Sequence, residues 1–309
     1  MKKIAVIGSI NMDYFIESDI LPEIGETVLG KDFFLSIGGK GANQAVAAAR
    51  LGGEVSLFGS LGNDENCEII VKKLKNENIN LANLQFIDDQ PTGAAFIELC
   101  NSDNRILVVP GSNESTNDAY VERMLSAILQ HDVFMFQLET PVEMLEYLIP
   151  ILYEHRKTII LNPAPAQALP QELIEKITYL TPNQYEYQTI FSTEDSMEML
   201  LGRYPNKLII TCGAEGVRFF DGKEIVLVPS MKVTPVDTTG AGDTFSGAFA
   251  VAVAEGKSLI ESIRFGTIAA GLSVTKKGAQ TGMPYRSDVT HFEKKKEHVH
   301  ESEGHTQTN

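Results

Sequence analysis

The sequence predicts an α/β fold, with a central, mostly parallel β-sheet, helices on both faces and a second, smaller sheet inserted into it. Two observations carry the main sheet. Short β-branched runs take turns with amphipathic helical stretches along most of the chain, which is the pattern of strand–helix–strand units. The runs are also almost continuously apolar, as strands covered on both faces must be. The smaller sheet rests on a third observation: two stretches drop this rhythm and alternate apolar with polar residues, the period of half-buried strands.

In chain order, Lys3 to Gly8 is the first strand. Its apolar run turns polar at Ser9 and Asn11, too early for a signal peptide. Tyr14 to Leu35 is the first alternating stretch, set around Pro22 and two glycines. A small-residue helix follows over Ala42 to Leu51, then a strand over Val55 to Leu61 and a helix over Glu65 to Asn78. Thr92 to Val109 is the second alternating stretch. It could cover a pocket or merely extend an edge, and the residues alone leave both open. Helices at Asp118 to Leu129, Val142 to Tyr153 and Pro170 to Ile177 alternate with strands at Val133 to Leu138, Thr158 to Leu161 and Lys207 to Thr211. A single domain is expected over residues 1–292. From Glu293 the chain carries Lys294 to Lys296 and then His298, His300 and His305 without apolar periodicity, so 293–309 is expected to be a disordered, solvated tail.

Composition excludes several classes. The 309 residues are 43% hydrophobic, ample for a large core, so a disulfide mini-scaffold or a disordered acidic protein is ruled out. Lys and Arg number 26 against 41 Asp and Glu, a net charge of −15. Such a surface repels nucleic acid and anionic membranes. Cys67, Cys100 and Cys212 lie far apart and form no CxxC pair, and no stretch approaches a membrane span. A cytoplasmic protein is expected, in which the Asn113-Glu114-Ser115 sequon has no meaning as a glycosylation site.

Three short segments carry chemistry. Asp237-Thr238-Thr239-Gly240-Ala241-Gly242-Asp243-Thr244-Phe245 is a polar, glycine-rich turn opening a small-residue helix over Ser246 to Ala254. Unpaired N–H groups at such a start attract anions, and the glycines let a phosphoryl group approach the backbone. Asp243 reads either as an ordinary first-turn acid or as a general base beside the transferring group. Ile37-Gly38-Gly39-Lys40-Gly41-Ala42-Asn43-Gln44 is a second glycine turn before a small-residue helix; it matches neither a P-loop nor GxGxxG. Lys40 and Asn43 offer donors to a polyol, although close packing on a strand would also explain the glycines. Asn11-Met12-Asp13 follows the first strand, where parallel sheets bind ligands, but a plain Asx turn fits those three residues equally.

Together, the Gly38 to Ala48 segment, the DTTGAGDTF turn and their order resemble the PfkB carbohydrate kinases. Gly8 to Asp13, Gln137-Leu138-Glu139, Asn162 to Ala166, Thr181 to Glu186 and Lys277 to Gln280 are similar to the family's pentose branch. The resemblance covers the chain from Ile4 to Arg286. It implies the ribokinase-like α/β fold, with the alternating segments at 14–35 and 92–109 forming a β-sheet lid that also supplies a homodimer contact. It implies ATP-dependent phosphorylation of D-ribose at the 5-hydroxyl.

By position, the resemblance assigns Asn11, Met12, Asp13, Gly39, Lys40, Gly41, Ala42, Asn43 and Glu139 to the sugar. Asp243 would activate the hydroxyl, with Gly240, Ala241 and Gly242 stabilising the moving phosphoryl group. Asn183, Thr211, Cys212, Gly213, Ala214, Glu215, Gly216 and Thr267, with Gly242 and Asp243, would line the ATP site. Glu186 would hold Mg²⁺ through water. A K⁺ ion beside the anion turn would be held by Asp237, Thr239, Ser273, Lys276 and Gly278.

Two departures from the family pattern stand out. Gly282 stands where many members have a serine whose hydroxyl joins the ion, which puts the strength of K⁺ activation in question. The segment from Phe191 to Pro205 is shorter than usual, consistent with a trimmed surface helix. The rival readings are a 2-deoxyribose kinase, with Met12 tolerating a missing hydroxyl, and a non-catalytic sugar sensor. The intact Asp243 turn argues against the sensor, and the missing dinucleotide fingerprint argues against a dehydrogenase.

Overall fold

The structure is a computed structural model that describes residues 2–100 and 103–294. Its first half runs β1 (Ile4–Ile7), β2 (Asn11–Ser18), β3 (Asp32–Gly38), α1 (Lys40–Arg50), β4 (Val55–Phe58), β5 (Ser60–Gly62), α2 (Glu65–Asn76), β6 (Gln85–Ile87), β7 (Gly93–Cys100) and β8 (Asp103–Val109). Next come α3 (Asp118–Ile128), β9 (Val133–Phe136), α4 (Val142–Glu154), β10 (Thr158–Leu161), α5 (Gln171–Lys176), β11 (Tyr179–Leu180), α6 (Tyr187–Phe191) and α7 (Met197–Arg203). The chain continues through β12 (Ile209–Thr211), β13 (Gly216–Phe220), β14 (Ile225–Pro229), α8 (Ala241–Ala254), α9 (Leu259–Ser273) and α10 (Ala279–Gly282).

The central sheet has the order β11-β10-β9-β1-β4 with every pair parallel. Parallel bridges Leu180↔Leu208 and Asn183↔Thr211 continue it into the antiparallel β12-β13-β14 sheet. The two-residue period of a strand shows directly in β1: Ile4 and Val6 enter one hydrophobic core, Ala5 and Ile7 the other. The first core is closed by α1, α8 and α9, the second by α3, α4 and α5.

Small residues let α1 and α8 pack in close contact. A Cβ on Gly247 would lie 2.7 Å from the Ala47 side chain, so the approach depends on its absence. This contact explains why both glycine turns precede small-residue helices, and it brings the two turns together.

The alternating segments form one four-stranded sheet of order β3-β2-β7-β8, parallel between β2 and β7 and antiparallel elsewhere. It reaches further than the expected segments: β2 begins at Asn11 and β3 ends at Gly38, so both site turns root it. Tyr14 stacks on Phe96 on one face, and Phe15 stacks on Phe34 on the other.

Some boundaries depart from expectation. The strand expected over Val55 to Leu61 breaks at Gly59, where a Cβ would lie 2.8 Å from the Gly8 carbonyl oxygen, and β5 leaves to pair with β6. Residues 286–294 are helical, so Glu293 and Lys294 belong to a helix rather than to a tail. The rest of the expected tail, with His298, His300 and His305, lies outside the described residues. Among the described residues no helix is long and apolar enough to cross a membrane.

Candidate active site

Asn11 and Asp13 stand on the first residues of β2, not in an Asx turn, and strand periodicity points both to one face. Beside them β3 turns into α1 at Gly39, whose φ of 83° is left-handed backbone that glycine adopts without strain. Asp13 is mostly buried, and its Oδ1 has no hydrogen-bond partner. A Cβ on Gly38 would fall within 2.0 Å of its other oxygen, so the carboxyl fits only over a glycine. Burial, then the neighbouring carboxylates of Glu139 and Asp243, push the Asp13 pKa up to about 7.

Glu139, just past the carboxyl end of β9, accepts from Ser9 Oγ at 2.5 Å and from the Lys40 N–H at 3.0 Å. Burial works against the Lys40 ammonium, but Asp243, Glu139 and Glu186 outweigh it and its pKa rises. Three carboxylates around one ammonium leave an excess of acceptors. A ligand rich in hydroxyl donors satisfies such a site; an anion does not.

Asp243, in the first turn of α8, is buried and accepts from both neighbouring amides of α1. Asn43 Nδ2 donates to its Oδ2 and Gln44 Nε2 to its Oδ1, each at 3.0 Å. Gln44 also donates to Asn162 Oδ1 at 3.0 Å and accepts from Gln137 Nε2 at 2.7 Å, while Asn43 Oδ1 accepts from Gln280 at 3.0 Å. Burial raises the Asp243 pKa; Lys40, Asn43 and Gln44 hold it down in part. A buried carboxylate fixed by two amides is a base of enhanced strength with a set orientation.

On the other side of the α8 turn opens a cavity of about 640 Å³. Asn183, Thr211, Gly213, Ala214, Gly216, Gly242 and Thr267 line it. So do Met231, Val233, Phe245, Ala270 and Val274, which form an apolar slot suited to a planar ring. Gly240, at φ 74°, makes the turn, and Thr238, Ala241 and Gly242 carry it along the cavity wall. The Ala241 N–H is engaged with the Thr238 carbonyl at 3.2 Å. Gly242 faces open space.

Asp237 accepts from the backbone N–H groups of Thr239 at 2.9 Å and Gly278 at 2.8 Å. Burial opposes the charge, but these bonds hold its pKa below the usual carboxylate range. A Cβ on Gly282 would lie 2.6 Å from the Ser273 carbonyl and 3.6 Å from that of Lys276, so the two carbonyls converge beside it. A fixed carboxylate and converging carbonyls are hard oxygen donors, chemistry that fits an alkali cation. Glu186 accepts from the Asn183 N–H at 2.8 Å. Burial raises its pKa against the effect of that bond and of Lys40. Among the described residues no three His, Cys, Asp or Glu side chains converge as a metal site. Mg²⁺ commonly keeps several waters and takes substrate phosphates with one or two carboxylates, and the Glu186 carboxylate is a hard oxygen donor of that kind.

The model of the pfkB family of carbohydrate kinases matches residues 1–286. The chain belongs to that family. This pfkB carbohydrate kinase is 46% identical over 289 residues to a ribokinase of Bacillus subtilis, covering 94% of this chain and 98% of the relative. A solved ribokinase of Thermotoga maritima superposes with a TM-score of 0.87 at 33% identity, covering 95% of this chain and 100% of the other. A ribokinase of Arabidopsis thaliana, solved in complex with ribose and ATP, gives 0.86 at 30% identity over 94% and 97%.

In this pfkB kinase, Asn11, Asp13, Gly39, Lys40, Gly41, Asn43, Glu139 and Asp243 come together. Met12 does not join them: its side chain is 1% exposed and packs in the core with Ile37, because strand alternation turns it away from Asn11 and Asp13. Ala42 is likewise buried in that core. Cys212 packs in the second core rather than on the cavity wall, and Glu215 pairs with Arg218 outside it. Sequence reasoning missed the 231–233 wall, Met231-Lys232-Val233, which belongs to no motif. It also missed two buried amides, Gln44 and Asn113. Gln44 stands inside the Gly38 to Ala48 segment, and Asn113 is visible in the sequence only as part of a sequon.

Proposed function

We propose that this carbohydrate kinase transfers the γ-phosphoryl group of ATP to the 5-hydroxyl of D-ribose, releasing D-ribose 5-phosphate and ADP. The first turn of α8 carries the reading. Asp243 reaches back to Asn43 and Gln44 on the sugar side, while Ala241 and Gly242 of the same turn line the cavity. One turn thus joins a base to a nucleotide-sized cleft. The choice of ribose is supported by relatives named ribokinase, one of them solved with ribose and ATP.

Asp13, with a free oxygen, and Glu139 accept from sugar hydroxyls, and Lys40 donates. Asp243 takes the proton of the attacking hydroxyl as the new O–P bond forms and the bond to ADP breaks. The Gly242 N–H belongs to the first helical turn, where no intrahelical acceptor exists, and it faces developing phosphoryl charge. Mg²⁺, when bound, supplies charge neutralisation on the phosphates; Glu186 would hold it through water, with Asn183 near the phosphates. K⁺ would be held by Asp237 and the backbone oxygens of Thr239, Ser273, Lys276 and Gly278, ordering the turn. We further infer a cytoplasmic homodimer joined through the lid.

The test is ATP turnover by the purified protein with Mg²⁺, using ribose, 2-deoxyribose and fructose, each with Na⁺ or K⁺. Ribose-dependent turnover, raised by K⁺, is expected. Ribose turnover indifferent to K⁺ would remove the cation site and leave the kinase. A higher kcat/KM for 2-deoxyribose would reassign the substrate. Asp243→Asn should lower kcat by roughly 10²–10⁴ with sugar binding retained; turnover like that of the parent would refute the base.

A further inference from the structure

We propose that Asn113 is a positioning residue for the sugar: it locks the side-chain amide of Asn11 so that only N–H donors are left for the substrate. The proposal rests on the sugar-kinase reading above and adds a residue outside the site's own lining.

Asn113 is 1% exposed, in the short turn that follows β8. Its amide orientation follows from backbone partners of fixed polarity. Asn113 Oδ1 lies 2.8 Å from the Ile10 N–H, a group that can only donate. Its Nδ2 lies 3.0 Å from the Pro110 carbonyl, a group that can only accept, and 3.3 Å from the Ile10 carbonyl. Both sides therefore agree on the same orientation. The same Nδ2 lies 2.7 Å from the Asn11 side chain, so the atom Asn11 presents there must be its oxygen, Oδ1. With its acceptor taken, Asn11 has Nδ2 to offer a ligand.

The polarity matters because of what stands next on the strand. Asp13, two residues along and on the same face of β2, offers an acceptor with an unpartnered oxygen. Donor followed by acceptor matches a pair of sugar hydroxyls, each of which can accept one bond and donate one. If Asn11 were turned over, two acceptors would face those hydroxyls and no N–H would be left there to hold a hydroxyl oxygen in place. The fold keeps room for the lock: a Cβ on Gly93 would fall 2.2 Å from Asn113 Nδ2 and 2.4 Å from Asn11 Oδ1.

Asn113→Asp keeps the shape and the acceptor for the Ile10 N–H but loses every donor, so Asn11 must turn its own N–H groups toward residue 113. The expected result is a ribose KM raised about tenfold to a hundredfold, with the ATP KM and kcat at saturating ribose within about twofold of the parent. Asn11→Asp, with Asn113 intact, replaces the donor by an acceptor directly. It should therefore reproduce the ribose-selective loss. Gly93→Ala drives the two amides apart from the opposite side and should reproduce the ribose-selective loss; it is the readout if Asn113→Asp does not fold. An unchanged ribose KM in a folded variant, or equal losses for ribose and ATP, would each overturn the proposal. Absence of ribose turnover in the parent would instead overturn the substrate reading.

Discussion

Asp13 shows at the level of one side chain how this site trades stability for binding. Its folded pKa of about 7 stands above the ordinary 3.8. A group raised in this way adds stability that is complete below the unfolded value and is lost as pH rises through the folded one. The unliganded protein should therefore lose stability between pH 5 and pH 8 on account of this residue. Asp13→Asn should flatten that loss, leaving the variant more stable than the parent at pH 8 by about 2–4 kcal/mol while it no longer binds ribose. Thermal melts of both proteins at the two pH values check this, and equal melting temperatures throughout would sink it. Hydroxyl donors favour the ionised carboxylate, so ribose affinity should strengthen from pH 5.5 to pH 8, with proton release on binding near pH 7 measurable by calorimetry in buffers of different ionisation enthalpy. The identity of Asp13 was legible in the sequence. Its mostly buried state with an unpartnered oxygen was not, because that depends on Gly38, Glu139 and Asp243 arriving from three other elements.

At the level of elements, the two glycines of the α8 turn do different work. Gly240 has φ 74°, and a Cβ there would meet the Ala279 side chain at 2.9 Å. Gly240→Ala should cost about 1–2 kcal/mol of stability as well as activity. Gly242 is helical and faces open space. Gly242→Ala should leave stability unchanged or raise it by up to about 1 kcal/mol, yet lower kcat/KM for ATP at least about tenfold, because the methyl stands where a phosphoryl group approaches. Chemical denaturation and steady-state kinetics on both variants test the contrast; full turnover by Gly242→Ala would remove the turn from the reaction. Helices with clear apolar periodicity, such as α2, α3 and α4, lie within one or two residues of where the sequence placed them. The sequence reading passed over α9, although Ser258 and Glu261 form a reciprocal capping box that announces its start. Its apolar residues run around most of the helix, and periodicity cannot report a helix with no polar face.

On the scale of the whole molecule, the lid is the part least able to stand alone. Phe33, Phe34, Leu35, Phe96, Ile106, Leu107, Val108 and Val109 are all exposed on one small sheet. An apolar surface of this extent on an acidic protein calls for a cover, and a second copy's lid is the cover we infer. Leu107, 73% exposed on the face shared with Tyr14, is the residue to test. Sedimentation should show a dimer for the parent and a shift toward monomer for Leu107→Asp, with a raised ribose KM because Asn11 and Asp13 stand on the same sheet. A parent that sediments as a monomer at all concentrations would refute the lid contact.

Local physics was enough for much of this protein. Strand and helix periods depend on neighbours in the chain, so the parallel α/β sheet, the inserted sheet and the two glycine turns could be read from the residues in order. Asp243, Lys40 and Asp13 were visible as polar groups at a helix start or strand end, but those residues alone left their roles open, and the family resemblance supplied the assignment. What tertiary structure alone decided are the pairings across the chain. Gln44 and Asn43 meet Asp243 some 200 positions away because α1 and α8 pack closely through small residues such as Ala47 and Gly247. Asn113 meets Asn11 because β7 carries a glycine where they touch. Met12 and Cys212, each inside a motif, turned into the core because their backbone direction, not their neighbours in sequence, determines which side of the sheet they face. A sequence names the groups available; only the packed chain determines which lone pair faces which proton.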